Sequence, residues 1–141
     1  MSESKIDAES FLRLIHETIP LSRETPLEVL ALEEGRARLV LRAGPEHIRA
    51  GGTLSGPTIM TLADTALYAA VLTAVGLEPM AVTSELSVRF LRRPPVGALI
   101  AEASLLRCGR RQAVGDVRMW SEEEGEAKLT AHAIGTYALP G

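Results

Sequence analysis

An apolar segment of 21 residues, from Pro57 to Leu77, limits what this chain can fold into more than any other feature of the sequence. The segment carries a single charge, Asp64, and its apolar residues recur on nearly every side of a helix. A helix of this length could cross a membrane. A carboxylate near its middle would cost about 2.5 to 3.5 kcal/mol there, and four threonines dilute the apolar run. The segment therefore predicts a helix enclosed by protein, with no membrane as a partner.

Strand-like patterns lie on both sides of this helix. Two short runs before it predict a hairpin around Glu34-Gly35, and four longer runs after it are separated by short turns, which favour antiparallel neighbours. The runs are 27–32, 36–42, 81–91, 98–107, 112–121 and 127–139. Because the apolar helix is the one object that such long strands can enclose, the pattern predicts an α+β fold with an antiparallel sheet wrapped around one long central helix.

The remaining segments complete a single domain over residues 1–141, with a core at 27–139. An apolar stripe in residues 7–18 predicts an amphipathic helix, within the first 20 residues, that ends at Pro20. The glycine-rich stretch 43–53 predicts a loop, after which Ser55-Gly56-Pro57 announces the central helix and Gly76 ends it. The two open edges of such a sheet invite pairing with a second subunit.

Composition excludes several classes of partner. The net charge of −3 and the aromatic content of 4% give no reason to expect nucleic-acid binding. A lone cysteine, Cys108, rules out an internal disulfide and favours a reducing compartment. The first 20 residues lack the pattern of a secretory signal, so we expect a cytoplasmic protein with a small-molecule partner.

Most familiar catalytic patterns are weak here. Residues 51–58 are glycine-rich but lack the spacing of phosphate-binding loops, and Ser55 misses the GxSxG nucleophile pattern by one residue, so a helix cap is the simpler interpretation. Cys108 has no histidine near it in the sequence, which disfavours a catalytic thiol. The three histidines, His16, His47 and His132, lack metal-ligand spacing. No metal site is predicted.

Two features remain open to a functional interpretation. Asp64 is either a buried aspartate hydrogen-bonded to helix neighbours (Thr61, Thr65 or Tyr68) or a carboxylate used in chemistry. Between positions 89 and 111, six arginines accompany one acid, Glu102. Arginine matches the geometry of phosphate oxygens, but the same cluster is also typical of a solvated strand edge.

Residues 52–66, GTLSGPTIMTLADTA, resemble the loop and central helix of hotdog-fold acyl-CoA thioesterases of the phenylacetic-acid-degradation (PaaI-like) type. Ser-Gly-Pro stands here where that family has His-Gly-Gly. Further downstream, 81–94, 109–114 and 131–137 resemble the family's next strand, its hairpin and its last strand, so that the likeness covers roughly 27–139. The resemblance implies a hotdog fold.

The resemblance also implies roles for particular residues. Asp64 takes the place of the catalytic carboxylate, which acts as general base or nucleophile, and Gly56 that of the residue whose backbone N–H binds the carbonyl oxygen. Thr83 occupies a position that helps to hold the water. Ser55 stands in place of the family's histidine, and the catalytic residues expected by position are Asp64, Gly56, Ser55 and Thr83.

The implied substrate is an acyl-CoA or aryl-acyl-CoA thioester, so coenzyme A is part of the substrate and no separate cofactor is expected. Arg49 replaces the family's asparagine and Pro57 its second glycine, both in the substrate-binding loop. The arginines then resemble a site for coenzyme A phosphates, with Arg92, Arg93, Arg110 and Arg111 as the candidates. The alternative is a hotdog protein that binds or senses acyl-CoA without hydrolysing it.

Helix geometry adds an expectation about assembly. Gly56 and Asp64 are eight residues apart, so on one straight helix they are separated by about 12 Å. One carbonyl group cannot reach both, because base and oxyanion donor must each lie about 3 Å from the reacting atoms. Two subunits with antiparallel facing helices would solve this, and we expect a homodimer or a homotetramer built from dimers.

Overall fold

Two helices and eight strands make up the part of the chain that the computed structural model describes, which is 3–19, 26–44, 47–49 (48 and 49 by backbone alone) and 53–141. In chain order they are α1 (Ala8–Thr18), β1 (Leu27–Glu33), β2 (Arg36–Arg42), β3 (Ile48–Arg49), β4 (Thr53–Leu54), α2 (Gly56–Val75), β5 (Val82–Phe90), β6 (Ala98–Cys108), β7 (Gln112–Ser121) and β8 (Ala131–Ala138). The predicted first hairpin, central helix and long strands are confirmed.

Six of the strands form one antiparallel sheet in the order β1-β2-β6-β7-β8-β5. Alternate residues of β8 are buried, as expected when one face of a strand packs on a core and the other faces outward. The helix-facing side of the sheet carries α2, which contacts every one of the six strands. We call the opposite side the outer face. The sheet therefore surrounds one helix, as the pattern of runs predicts.

Helix α2 is the core element that its composition predicts. Ser55 caps its first turn, and Gly76 follows its last turn with a φ of 91°, a conformation that glycine adopts without strain. From Ala66 to Thr73 every residue is buried, so the apolar stretch long enough to cross a membrane is the centre of the fold. The first half differs: a stripe of Pro57, Met60 and Thr61 is exposed.

A pair of glycines lets the helix approach the sheet. Gly115 of β7 lies opposite Gly135 of β8, and the Leu67 side chain of α2 rests on both. A Cβ atom would lie 2.8 Å from a Leu67 methyl carbon at Gly115 and 2.6 Å at Gly135, closer than carbon atoms can approach. These positions therefore set the depth at which α2 sits.

Helix α1 covers one end of this core. Asp7 caps it by accepting a hydrogen bond of 2.7 Å from the Ser10 N–H, and its buried residues are Phe11 and Ile15. The Phe11 ring lies 6.0 Å from that of Tyr68 on α2. The helix ends at Thr18, and Pro20, which predicts its end, lies outside the described residues.

Two predicted boundaries need correction. The last strand begins at Ala131 and not at 127, because 122–130 form a longer connection in which Lys128 N–H bonds to the Gly125 carbonyl and Thr130 N–H to that of Met119. The predicted loop 43–53 contains β3 and the first residue of β4. The part of that loop at 45–46 and 50–52 lies outside the described residues.

Candidate active site

Asp64 lies on α2 where the helix passes the ends of two strands. Its Oδ1 atom accepts a hydrogen bond of 2.7 Å from the Thr83 hydroxyl of β5 and another of 2.7 Å from the Tyr137 hydroxyl of β8. Tyr137 also reaches the Asp64 backbone carbonyl at 3.1 Å. The Asp64 residue is half-buried, so it is fixed by the sheet while remaining open to solvent on one side.

These partners differ from the helix neighbours that the sequence offers for a buried aspartate. The hydroxyls of Thr61 and Thr65 donate instead to the backbone carbonyls of Pro57 and Thr61, at 3.0 and 2.7 Å. Tyr68 donates to the Glu78 carbonyl at 3.2 Å. Helical spacing therefore identified the right face of α2 but not the groups that bind the carboxylate.

Tyr137 is the residue of this site that sequence reasoning missed. Its ring stacks on that of Tyr68 with a centroid distance of 5.5 Å and an interplanar angle of 11°. Burial, reinforced by the nearby Asp64 charge, raises the pKa of Tyr137, so that its hydroxyl remains a donor at neutral pH. The available signal was the alternation of β8, which places Tyr137 on the helix-facing side, where a tyrosine hydroxyl needs a partner.

A cavity of about 240 Å³ opens beside the carboxylate. Apolar and neutral side chains form its walls, from α1, α2, the turn that follows α2, β5 and β8. Its lining residues are Thr18, Ile19, Asp64, Tyr68, Pro79, Ala81, Val82, Thr83 and Tyr137. The site can thus receive a small apolar group next to a carboxylate oxygen.

The helix start lies at the other end of β5. Ser55 caps α2, since its Oγ accepts from the Thr58 N–H at 3.3 Å and contacts the Thr58 hydroxyl at 2.7 Å. Gly56 lies beside the ring of Phe90, because a Cβ atom at Gly56 would be 3.7 Å from it. Gly56 and Asp64 belong to one unbroken helix, so they are separated by about 12 Å, as expected.

The four candidate arginines divide into two groups. Arg92 and Arg93 follow β5 after Leu91 and lie at the Gly56 end of the sheet, whereas Arg110 and Arg111 lie in the β6–β7 turn at the Asp64 end. The two ends are separated by the length of β5, about 26 Å. All four side chains are exposed.

The second arginine group lines a larger cavity of about 560 Å³, formed by Arg107, Gly109, Arg110, Arg111, Gln112 and Val114. Of the other predicted site residues, Pro57 is the exposed second residue of α2, and Arg49 pairs with Thr53 through the β3–β4 backbone. The structure therefore brings Asp64 and Thr83 together in one protomer, and it separates them from Gly56, Ser55 and Pro57.

Two residues considered for other chemistry are not among those that line the cavity beside Asp64. Cys108 is an exposed thiol at the end of β6. The Nε2 atom of His132 lies 2.8 Å from Asp116 Oδ2 on the outer face, on the opposite side of the sheet from Asp64. This histidine thus has a structural partner on the surface.

Comparisons with known proteins agree with this architecture. Residues 51–128 match the family model described as the thioesterase superfamily. Two proteins of Saccharolobus solfataricus that carry the name esterase are 31% and 33% identical over 113 residues, which is 80% of this chain and 73% and 78% of theirs.

Solved structures show the same likeness. A protein of Silicibacter sp. TM1040 that carries the name thioesterase superposes with a TM-score of 0.86 at 36% identity, over 99% of this chain and 95% of its own. A mutant of the phenylacetic acid degradation protein PaaI from Thermus thermophilus gives 0.75 at 29%, over 86% and 99%. The fold is the hotdog fold, with its sheet around one long helix. Together with the family match over more than half of its length, this likeness establishes that the chain belongs to the thioesterase superfamily.

Proposed function

We propose that this protein is an acyl-CoA thioesterase in which Asp64 is the general base or the nucleophile and the Gly56 backbone N–H is the oxyanion donor. One observation carries the proposal: Asp64 is held by two neutral hydroxyls and faces an open cavity. A carboxylate that served only the fold would gain more from a cation. An oriented carboxylate at the edge of a small cavity is suited to activate water or to attack a thioester.

Thioester hydrolysis needs an oxyanion donor and a base, and α2 carries one at Gly56 and the other at Asp64. Attack on the thioester carbonyl builds negative charge on its oxygen, and N–H groups at a helix start are preorganised donors for such charge. Pro57 has no N–H, Thr58 N–H donates to Ser55 Oγ and Ile59 N–H to the Ser55 carbonyl, which leaves the Gly56 amide as the donor in this turn. Asp64 lies about 12 Å from Gly56 along the helix. The Asp64 carboxylate and the Gly56 N–H of one subunit therefore cannot act on the same carbonyl group.

A twofold dimer supplies the missing partner. The exposed stripe of Pro57, Met60 and Thr61 continues to Asp64, so one face of the helix is open where a second α2 could lie antiparallel. Strand β5 is an edge of the sheet and exposes Val82 and Phe90, which suits pairing with a second copy. Gly56 of one subunit would then lie near Asp64 of the other, giving two equivalent composite sites.

The same symmetry supports coenzyme A as part of the substrate. Arg92 and Arg93 lie at the Gly56 end and Arg110 and Arg111 at the Asp64 end, so an antiparallel dimer would bring one pair from each subunit to the same composite site. Arginine pairs are suited to bind phosphate groups. A structural neighbour from Streptococcus mutans, with a TM-score of 0.72 at 22% identity, was solved bound to acetyl CoA.

The second candidate is a protein that binds acyl-CoA without hydrolysing it. The observation in its favour is that Ser55, which stands in place of the family's histidine, uses its hydroxyl to cap α2. A hydroxyl that is engaged in the cap is a weak replacement for the family's histidine as a group near the oxyanion.

Thiol release separates the two candidates. Pure protein is incubated with aryl-acetyl, short-, medium- and long-chain acyl-CoAs while free thiol is measured, in a Cys108→Ser background that removes the protein's own exposed thiol. A thioesterase releases thiol faster than the buffer blank with at least one substrate. Saturable binding without release from any substrate would overturn the enzyme proposal in favour of the binding protein.

Mixing two inactive variants tests the composite site. Asp64→Asn removes the carboxylate, and Gly56→Val crowds the helix start, where Phe90 is the nearest side chain. In a mixed dimer one site carries both changes and the other carries neither, so random exchange should restore about a quarter of wild-type activity. Demonstrated mixed dimers without any recovery would place both residues in one subunit's site and contradict the mechanism.

A further inference from the structure

We propose that Tyr137 is a positioning residue of the hydrolytic site, whose hydroxyl acts with that of Thr83 to hold Asp64 Oδ1 and leave Oδ2 as the oxygen that meets water or the thioester. This inference rests on the proposed function, because it assigns a task to a neighbour of the carboxylate that is proposed to react. Nothing in the loop and helix motif points to Tyr137, which is the seventh residue of the last strand.

The hydrogen-bond geometry distinguishes the two carboxylate oxygens. Both hydroxyls donate to Oδ1, each at 2.7 Å, and Tyr137 also reaches the Asp64 backbone carbonyl at 3.1 Å. Among the residues that the structure describes, Oδ2 accepts no hydrogen bond from protein. Two fixed donors on one oxygen restrict rotation of the carboxylate, so Oδ2 keeps a constant direction beside the cavity that Asp64 lines.

Tyr137 is held more firmly than Thr83. It lies in β8, which is paired on one side with β5 and on the other with β7, whereas Thr83 lies in the edge strand next to an irregularity in the pairing. The Tyr137 ring is also fixed by stacking on Tyr68, whose own hydroxyl is bound to the Glu78 carbonyl. The chain of contacts therefore connects the carboxylate to the core of the sheet through Tyr137.

Few titratable groups face this network. Tyr68 contributes a neutral hydroxyl from α2, and Glu78 lies behind Tyr68 in the following turn. From α1 and β5 the lining residues are Thr18, Ile19, Val82 and Thr83, which carry no charge. Within the described residues, Asp64 is the carboxylate that the Tyr137 hydroxyl contacts directly.

The first test needs no substrate. The chain has only two tyrosines, so labelling tyrosine with ¹³C at the ring carbon that carries the hydroxyl gives two resonances, which Tyr137→Phe assigns. We expect the Tyr137 resonance to differ between wild type and Asp64→Asn at neutral pH, because the Tyr137 hydroxyl donates to the carboxylate. Tyr68 serves as the internal reference. A Tyr137 resonance at the same position in wild type and Asp64→Asn would overturn the contact.

The second test measures the consequence for turnover. Tyr137→Phe keeps the ring and removes the donor, and we expect kcat to fall about tenfold with KM within about twofold, since only the orientation of the carboxylate changes. In an Asp64→Asn background the same substitution should change kcat by less than about twofold, as expected for groups that act as a unit.

Controls separate this role from a structural one. Thr136→Val removes a neighbouring β8 hydroxyl that points the other way and should leave kcat and KM unchanged. Thr83→Val should reproduce the direction of the Tyr137→Phe effect. If the wild-type protein releases no thiol, the proposed function is contradicted. The resonance test alone then decides whether Tyr137 contacts Asp64. An active wild type whose Tyr137→Phe variant keeps its kcat contradicts the positioning role alone.

Discussion

Two carboxylates on opposite sides of the same sheet are held in opposite ways. On the outer face, Glu102 of β6 receives Arg38 at 3.0 and 2.7 Å and Arg36 at 3.1 Å, and its side chain is only 13% exposed. On the helix-facing side, Asp64 receives two hydroxyls at 2.7 Å and, within the described part of the chain, no cation. Both are well oriented, but only the charge of Glu102 is neutralised.

The difference separates a carboxylate whose charge is paired with two arginines from one that is held by two neutral hydroxyls. Burial alone would raise the pKa of Glu102, but the hydrogen bonds and charges of Arg38 and Arg36 lower it below 4.5. Arg38 is held in turn over the Trp120 ring, 5.4 Å from its centroid. The two hydroxyls orient Asp64 without neutralising its charge, which suits a carboxylate that is proposed to act on a substrate.

The largest effect is expected from Asp64→Asn. This change removes the proposed base or nucleophile and should lower kcat by about 10²- to 10⁴-fold. Fold and oligomeric state should be retained, since an amide can still accept both hydroxyls. Thiol release and analytical ultracentrifugation measure the two quantities. Glu102→Gln is the matched control and should keep its kcat, so an equal loss in both variants, or turnover unchanged in Asp64→Asn, would break the comparison.

The helix-facing side should also be less tolerant of added volume. At Gly135 a Cβ atom would lie 2.6 Å from a Leu67 methyl carbon and 3.0 Å from one of Leu86, so Gly135→Ala should cost about 1 to 3 kcal/mol of unfolding free energy. Gly109→Ala, where the nearest atom is 3.5 Å away, should change stability by less than about 0.5 kcal/mol. Urea titration measures both, and equal midpoints would contradict the close approach of α2.

Glu102→Gln should lower stability without lowering activity. Losing the charge-assisted bonds to two arginines should cost about 1 to 2 kcal/mol near neutral pH. Because the folded-state pKa of Glu102 is below 4.5, this stabilisation is present above pH 4.5 and is lost as the pH falls through the folded-state value. The difference between wild type and variant in urea titrations should therefore shrink toward lower pH. A constant difference would show that packing, and not charge, is responsible.

Ser55→Ala should have the smallest effect. Removing the cap of α2 should cost about 1 kcal/mol of unfolding free energy. We expect kcat to fall about tenfold or less, because water can partly replace a hydroxyl near the oxyanion. Ser55→Thr retains a capping hydroxyl and serves as the control. A loss as large as that of Asp64→Asn, with an acyl group accumulating on Ser55 in the wild type, would instead indicate a serine nucleophile.

The amino-acid sequence by itself determined the central helix, its cap at Ser55 and its end at Gly76, because local propensities and periodicity decide those features. It also singled out Asp64, since one charge in an apolar segment requires an explanation. It misplaced the start of the last strand, where the 122–130 connection is fixed by contacts with Met119 that no local pattern shows.

Tertiary structure alone decided what surrounds Asp64. Thr83 and Tyr137 are 19 and 73 residues away along the chain, and only the order β8-β5 at the edge of the sheet brings both hydroxyls to one oxygen. The same order places Arg92 and Arg110 at opposite ends of a sheet, although the sequence shows them as one cluster. Periodicity reports which face a residue occupies, but the pairing of distant strands decides which residues meet there.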